Sequence, residues 1–154
     1  MMRFNVITKL ETPKSMVLKV AFADGEIVML NMNEVIKYYD KYSVLNDYEL
    51  FKTAKKDPNG YMIIWNDELD ISSNMIYEEG KHIDKCEPDI NILVAEKLQD
   101  ERYQKQMSQR ELSARSGVLQ PEIAKIEKRK GNPTIKTLQK LAYALGVQTY
   151  ELLK

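Results

Sequence analysis

The chain has 154 residues, 44% of them hydrophobic and 30% charged, a composition that suits one or two small soluble domains. It contains no apolar run long enough to span a membrane, and its first residues lack the apolar core of an export signal. The single cysteine, Cys86, excludes an internal disulfide framework or a zinc cluster. These properties predict a cytoplasmic protein.

Charge is unevenly distributed, although the formal net charge of the whole chain is zero. Residues 1–90 carry 11 Lys and Arg against 16 Asp and Glu, a net charge of −5. Residues 91–154 carry 12 against 7, a net charge of +5. An acidic half and a basic half indicate two domains with different partners, and the basic half is suited to phosphate groups.

The N-terminal half begins with short strand patterns. Residues 4–10 alternate apolar and polar side chains, and the apolar residues 16–22 and 26–30 flank Asp24 and Gly25. Asp-Gly between two apolar runs is a strong hairpin signal, because tight hairpin turns need residues that accept positive φ. The pattern predicts an antiparallel hairpin.

Short helices and a further strand are predicted after this hairpin. Asn33 is expected to cap a helix that runs to about Tyr42, and residues 61–65 have the apolar character of a buried strand. Ser72 or Ser73 is expected to cap a last short helix.

A series of residues follows the hairpin and the first helix at characteristic positions: Leu45, Phe51, Gly60, Ile64, Trp65, Asn66, Leu69, Asp70, Ile76 and Tyr77. In this pattern the region resembles the uncharacterised bacterial domain of unknown function 2442. The resemblance implies an α+β domain, a small antiparallel sheet with short helices, over residues 1–80. Members of that family are often found beside toxin or regulator genes. Residues 81–89 are polar and contain Pro88, so they are predicted to form a linker.

Residues 107–147 contain two short helical patterns joined at Gly117, then a basic loop and a third amphipathic pattern. Their apolar anchors are Leu112, Val118, Ile123 and Ile126. Two helices held at a fixed angle present the second one outward, which is how a protein places side chains in the DNA major groove. The stretch therefore predicts a DNA-binding domain.

Five sequence pieces follow one another in register here: residues 108–112, 116–118, Ile123 with Ile126 and Glu127, 132–134, and 141–147. Together they resemble the helix-turn-helix domain of the Cro/C1-type (XRE) family, over residues 92–153. The resemblance implies an all-α, lambda-repressor-like domain at residues 90–154 with five helices, at about 90–104, 108–116, 120–128, 134–145 and 149–153.

The base-reading side chains are predicted from a helical wheel of the second motif helix. With Ile123 toward the core, Leu119, Ile126 and Glu127 fall on the inner side. The predicted base-reading residues are Gln120, Pro121, Ala124 and Lys125. Gln120 can pair with adenine, Lys125 with guanine or a phosphate, and the two apolar residues suit a thymine methyl group. A plain solvated face is the alternative.

The predicted phosphate contacts come from the start of the first motif helix and from the basic loop. Ser108 and Glu111 form a capping-box pattern. The family resemblance implies that Gln109 contacts a phosphate and braces Gln120. The phosphate-contacting residues are predicted to be Ser108, Gln109, Lys128, Arg129, Lys130 and Asn132.

The same resemblance implies a buried ion pair between Arg102 and Glu127. The chain departs from the family pattern at two positions: Leu119 replaces a Ser or Thr, and Arg129 replaces a Gly. Because leucine cannot cap a helix, we expect Pro121 to compensate through its fixed φ.

The main functional hypothesis is a sequence-specific transcriptional regulator, a repressor that binds double-stranded DNA as a homodimer. Leu145, Tyr150, Leu152 and Leu153 are expected to pack across its two-fold axis. One alternative is an antitoxin whose acidic N-terminal domain neutralises a basic toxin. Another is a regulator that senses a small ligand, held near Tyr38, Tyr39, Trp65 and Tyr77.

An enzyme is not expected. The only histidine, His82, falls in the predicted linker, and no nucleophile–base or phosphate-loop spacing is present. Asp67, Glu68 and Asp70 read as an ordinary acidic loop rather than a metal site. No cofactor is predicted.

Overall fold

The computed structural model describes residues 5–154, which form two compact units, residues 5–88 and Asp89–Lys154. Phe4, the first residue of the first predicted strand, lies outside the described residues. Each unit encloses its own hydrophobic core. Within residues 5–154, no helix has the length and apolar character needed to cross a membrane.

The larger sheet of the N-terminal unit consists of β1 (Ile7–Lys14), β2 (Val17–Phe22), β3 (Glu26–Asn31) and β7 (Lys81–Lys85). All neighbours are antiparallel, in the order β1-β2-β3-β7. The predicted hairpin between β2 and β3 is confirmed. Its turn requires Gly25, because φ there is +93° and a Cβ would stand 2.5 Å from the backbone oxygen of Cys86.

A smaller antiparallel sheet consists of β4 (Lys55–Lys56), β5 (Met62–Asn66) and β6 (Leu69–Ser72). Strand β5 confirms the strand predicted at residues 61–65. The buried carboxylate of Asp57 holds the turn between β4 and β5. It accepts hydrogen bonds from the backbone N–H groups of Asn59 at 3.0 Å, Tyr61 at 2.6 Å and Met62 at 3.0 Å.

The helices of this unit are α1 (Met32–Ile36), α2 (Tyr48–Phe51) and α3 (Ser73–Glu79), with a 3₁₀ helix at Asp40–Asn46. The helix predicted from Asn33 to Tyr42 is wrong in both bounds. Asn31 is the cap, since its side chain accepts from the N–H of Asn33. The helix ends early, where the N–H groups of Tyr38 and Tyr39 both donate to the Val35 carbonyl. Of the two serines predicted as the α3 cap, Ser72 fills that position.

The linker predicted at residues 81–89 is wrong for its first five residues. Lys81–Lys85 forms the edge strand β7, in which Val28 of β3 lies opposite His82. All five residues are exposed, so the strand has no apolar alternation by which the sequence would reveal it. Only residues 86–88 separate β7 from the second unit.

The C-terminal unit contains α4 (Ile90–Gln104), α5 (Gln109–Ser116), α6 (Gln120–Glu127) and α7 (Ile135–Leu145). The predicted fifth helix is a 3₁₀ helix, Thr149–Leu153, so this unit has four α-helices and not five. Its backbone bonds are of the i to i+3 kind, as from the Glu151 N–H to the Gln148 carbonyl.

The two cores are apolar and separate. The N-terminal core packs the two sheets against the short helices, with Phe22, Phe51, Ile63 and Ile76 almost fully buried. The C-terminal core gathers one face of every helix of that unit: Val94, Leu98, Met107, Leu112, Val118, Ile123, Ile126, Leu138, Leu141, Ala142, Leu145 and Leu152. Burying these faces fixes the angle at which α6 follows α5.

Candidate nucleic-acid interface

Helix α5 is fixed at both ends by local hydrogen bonds. The Ser108 hydroxyl oxygen accepts from the Glu111 N–H at 3.1 Å, and the Glu111 carboxylate accepts from the Ser108 N–H at 2.6 Å. This bond to the Ser108 backbone lowers the pKa of Glu111 below its ordinary value. At the other end Gly117 adopts a φ of +75°, the left-handed conformation that ends a helix and redirects the chain. The chain passes from there directly into α6.

Helix α6 begins without a side-chain cap. Leu119 occupies the cap position in an extended conformation, with φ −61° and ψ 138°, and Pro121 lies in the first turn. The Leu119 side chain is 71% exposed, so the prediction that it faces the core is wrong. A residue that precedes the helix does not follow its 100° periodicity, and the helical wheel therefore misplaced it.

Arg102 of α4 and Glu127 of α6 form a buried, two-pronged ion pair. The Arg102 Nε donates to Glu127 Oε1 at 2.7 Å and Nη2 donates to Oε2 at 2.8 Å. The third donor, Nη1, reaches the Met107 carbonyl at 2.9 Å. The Glu127 carboxylate raises the pKa of Arg102 further above its ordinary value. The pair thereby ties α4 and the start of the α4–α5 connection to α6.

Two glutamine amides extend this ion pair to the start of α6. The Gln109 Nε2 donates to Glu127 Oε2 at 2.8 Å. The Gln120 Nε2 then donates to Gln109 Oε1, also at 2.8 Å. We call Arg102, Glu127, Gln109 and Gln120 the polar relay. It joins α4, α5 and both ends of α6, and the contact from Glu127 to Gln109 is one that sequence reasoning missed.

The outer side of α6 carries the other predicted base-reading side chains. Pro121 and Lys125 are exposed, while Gln120 and Ala124 are half-buried. Lys128 follows as an exposed cation at the end of the helix. The structure therefore places the four predicted residues on one short helix, whose opposite face holds Ile123 in the core.

The predicted phosphate contacts in the loop after α6 fall into two groups. Lys130 and Asn132 are exposed, as is Lys128 before them. Arg129, in contrast, is half-buried, and its Nη2 lies 2.5 Å from Oε1 of Glu96 on α4. Its φ of +62° is the conformation that suits the glycine usual at this position. The Glu96 carboxylate accepts from Nε and Nη2 of Arg129, which stays a predicted phosphate contact.

The residues predicted to form a dimer interface also fall into two groups. Leu145 and Leu152 are buried in the core of their own unit, at 2% and 0% exposure, and the prediction that they pack across a two-fold axis is wrong. Leu145 and Leu152 both continue the apolar periodicity of the final helices. In this unit, the residues at that period face the core. Tyr150 and Leu153 are exposed.

The four aromatic residues predicted to hold a ligand do not form one site. Tyr38 and Tyr39 line a surface groove of about 360 Å³. The buried Trp65 donates through Nε1 to the Phe51 carbonyl, and the Tyr77 hydroxyl donates to the carboxylate of Asp24. Within residues 5–154, no three His, Cys, Asp or Glu side chains are grouped so that they could hold a metal ion.

Two family models match the chain. The helix-turn-helix model matches residues 98–152, and the model of a protein of unknown function, DUF2442, matches residues 12–82. The second match covers most of the N-terminal unit, and the first covers α5, α6 and α7 completely.

Known proteins resemble the C-terminal unit. The HTH-type transcriptional regulator y4dJ of Sinorhizobium fredii is 41% identical over 64 residues, which are 42% of this chain and 83% of that protein. A Haemophilus influenzae HTH-type transcriptional regulator is 42% identical over 60 residues, 39% of this chain and 61% of that protein. The crystal structure of the hypothetical transcription factor NHTF from Neisseria is 30% identical, with a TM-score of 0.42, and the match covers 43% of this chain and 76% of that one.

The helix-turn-helix geometry, the exposed outer side of α6 and the match to y4dJ agree with one another. The chain therefore belongs to the Cro/C1-type (XRE) helix-turn-helix family of DNA-binding transcriptional regulators, and its N-terminal unit resembles the DUF2442 domain.

Proposed function

We propose that this regulator is a sequence-specific repressor that reads double-stranded DNA through α6. The observation that carries the proposal is the direction of the polar relay. A carboxylate cannot donate, so Glu127 fixes Gln109 with its Nε2 inward. Gln109 Oε1 must then accept from Gln120 Nε2. Gln120 keeps one N–H and its carbonyl oxygen for a base.

One free donor and one free acceptor are the complement of adenine in the major groove. Adenine presents its N7 as an acceptor and its N6 amino group as a donor. Gln120 is therefore proposed to read an adenine. Lys125 is proposed to contact guanine or a phosphate, and Pro121 and Ala124 are proposed to pack on a thymine methyl group.

The proposed phosphate contacts surround α6 at both ends. Ser108 is proposed to contact a phosphate from the cap position of α5, where its hydroxyl oxygen accepts from the Glu111 N–H. Gln109 follows at the N-terminal end of α5, where free N–H groups favour an anion. Lys128, Lys130 and Asn132 contribute exposed donors after α6.

Selection of bound duplexes from a random pool, followed by fluorescence anisotropy, tests this proposal. We expect Gln120→Ala to lose about 1–3 kcal/mol of discrimination at one base pair, and Lys130→Ala to weaken all sites equally with a salt slope reduced by about one. Gln139→Ala, an exposed glutamine on α7, is the matched control and should change neither. A wild-type protein without salt-sensitive binding to any duplex would contradict the proposal.

The repressor is proposed to bind as a homodimer. Exposed Tyr150 and Leu153 are the remaining members of the predicted dimer surface. A two-fold dimer of this family would contact half-sites about 34–36 Å apart. Sedimentation of the complex and a footprint on the selected site test this point, and a footprint over one unsymmetrical half-site would contradict it.

A second candidate function is that of an antitoxin whose N-terminal unit binds a basic toxin. The groove that Tyr38 and Tyr39 line also carries Glu34 and Glu79, and residues 1–90 have a net charge of −5. Carboxylates beside aromatic rings suit a lysine or arginine side chain. A small basic protein that co-purifies from native cells with the wild type, but not with Tyr38→Ala/Glu79→Gln, would support this role. Recovery of the wild-type protein from native cells without such a partner would contradict the antitoxin role.

A further inference from the structure

Leu119 is an exposed apolar residue that immediately precedes Gln120 of the polar relay. At 71% exposure it contributes almost nothing to the core. A single exposed leucine is ordinary by itself. This one stands where most helices have a capping residue, so two features must be explained together: the missing cap and the exposed side chain.

Pro121 explains why the cap position is free for another use. A capping side chain accepts from the N–H of the second or third helical residue. The second residue here is Pro121, which has no N–H, and the third, Glu122, already donates to the Leu119 carbonyl at 2.9 Å. A serine or threonine at position 119 would find little to accept. The backbone therefore loses little by having leucine there.

We propose that Leu119 is a specificity-determining residue that reads the methyl group of a thymine beside the adenine contacted by Gln120. This inference rests on the proposed reading of DNA by α6. The thymine methyl is the only apolar group that a base pair presents in the major groove, and leucine is an apolar side chain of matching chemistry. Gln120 is held by Gln109, so the residue before it has a fixed position relative to the base that Gln120 reads.

Deoxyuracil tests the contact, because it differs from thymine only by the missing methyl group. Each thymine of a selected site is replaced singly, and binding is measured by fluorescence anisotropy with the full chain. We expect a thymine beside the adenine read by Gln120 at which uracil weakens wild-type binding by about fourfold, the effect of removing one buried carbon. A thymine contacted by Pro121 and Ala124 should also respond to uracil, but its response should not depend on Leu119.

The variant Leu119→Ala removes the partner of that methyl group. It should bind the thymine site about three- to tenfold more weakly than the wild type and bind the uracil and thymine forms equally. Leu119→Ser should behave in the same way. Circular dichroism should show both variants folded, since the replaced side chain is outside the core.

One control and one comparison separate this contact from its neighbours. Ile135→Ala changes a comparably exposed residue, 72%, at the start of α7, and as the control it should keep the uracil effect. Pro121→Ala removes another apolar side chain proposed to contact a thymine methyl group, so a thymine that it makes insensitive should differ from the one that Leu119→Ala makes insensitive. If the thymine assigned to Leu119 stays sensitive in Leu119→Ala, or loses its sensitivity in Pro121→Ala but not in Leu119→Ala, the inference is wrong.

Two outcomes with the wild-type protein separate a failure of the Leu119 contact from a failure of DNA reading by α6. A wild-type protein that selects a duplex but is indifferent to uracil at every thymine overturns the role of Leu119 and leaves Gln120 as a reader. A wild-type protein that selects no duplex at all overturns both.

Discussion

The two units of the chain bond their buried polar side chains in different ways. In the C-terminal unit, Arg102 and Glu127 are 25 residues apart in the sequence, and the polar relay continues from them to Gln109 and Gln120. In the N-terminal unit, the carboxylate of Asp57 bonds to backbone N–H groups two, four and five residues later. The relay fixes the positions of three helices, whereas Asp57 fixes one turn.

This difference indicates how substitutions should propagate in each unit. A change in the relay is expected to alter the position of Gln120, the proposed base-reading residue, from a distance, because each member orients the next. A change at Asp57 should remain local. Trp65 is the only tryptophan and lies in the N-terminal unit, so its fluorescence reports that unit, whereas circular dichroism at 222 nm weights the helical C-terminal unit.

The largest expected effect comes from removing one partner of the buried ion pair. Arg102→Met should lower the free energy of unfolding of the C-terminal unit by about 3–5 kcal/mol, because the Glu127 charge stays buried without its cation. Urea unfolding followed at 222 nm measures the loss. Arg110→Met, an exposed arginine on α5, is the matched control. Equal stability of the two variants would show that the relay does not hold the helices.

The corresponding change in the N-terminal unit is Asp57→Ala. It removes a charged acceptor from three backbone N–H groups, so we expect a loss of about 2–3 kcal/mol in the unfolding free energy. Trp65 fluorescence in urea measures it. Asp67→Ala, at the exposed turn between β5 and β6, should have little effect. If Asp57→Ala also shifted the transition at 222 nm by a similar amount, the local character of this bond would be refuted.

The hydrogen bond between the Ser108 hydroxyl and the Glu111 N–H is a local bond within the C-terminal unit, so its loss can be compared with the loss of the long-range ion pair. Ser108→Ala removes the cap of α5 and should cost about 1 kcal/mol, well below the cost of Arg102→Met. The same urea experiment at 222 nm measures this loss, with Ser113→Ala inside α5 as a control. A loss as large as that of Arg102→Met would mean that local and long-range bonds are not distinguishable in this unit.

The smallest expected effect is the pH dependence of His82. Its Nδ1 lies 2.8 Å from the Glu26 carboxylate and its Nε2 lies 2.9 Å from the Tyr77 carbonyl. Both neighbours only accept, so the protonated ring fits best, and the bond to Glu26, followed by that to Tyr77, raises the pKa of His82 above 6.5. The same bond lowers the pKa of Glu26.

The direction in which stability changes with pH follows from the raised pKa of His82. Its stabilisation is fully present below the unfolded pKa, near 6.5, and is lost as the pH rises through the higher folded pKa. The side chain is 38% exposed, so the contribution should stay under about 1 kcal/mol. Because the chain has one histidine, its NMR signal titrates alone. We expect a midpoint above 6.5 that falls in Glu26→Gln but not in Glu49→Gln; a wild-type midpoint below 6.5 would contradict this account.

The helices of the C-terminal unit were predictable because their ends carry explicit signals. Ser108, Gly117 and Gly146 mark caps and turns, and the observed α5, α6 and α7 begin and end within one residue of the predicted bounds. Leu119 was not predictable from periodicity, since it precedes the helix. The sequence signal for the uncapped start of α6 was Pro121, because proline has no N–H that a capping side chain could bind.

The N-terminal unit was less predictable, because its elements depend on partners distant in the sequence. Strand β7 is exposed throughout and has one apolar residue, Ile83, so it forms because β3 offers an edge with which it can pair. Helix α1 ends where the N–H groups of Tyr38 and Tyr39 both donate to the Val35 carbonyl. No residue type in the sequence indicates this end. The Asp-Gly hairpin, whose signal is entirely local, was predicted correctly.

The pairing of Arg129 with Glu96 affects how salt-dependent binding should be interpreted. Both side chains are only 20% exposed, so dissolved ions screen this pair much less than a surface pair. The loop after α6 should therefore keep its shape over the ionic strengths used in titrations. The slope of the logarithm of the binding constant against the logarithm of salt concentration then counts the counterions displaced from DNA, undistorted by any melting of the loop.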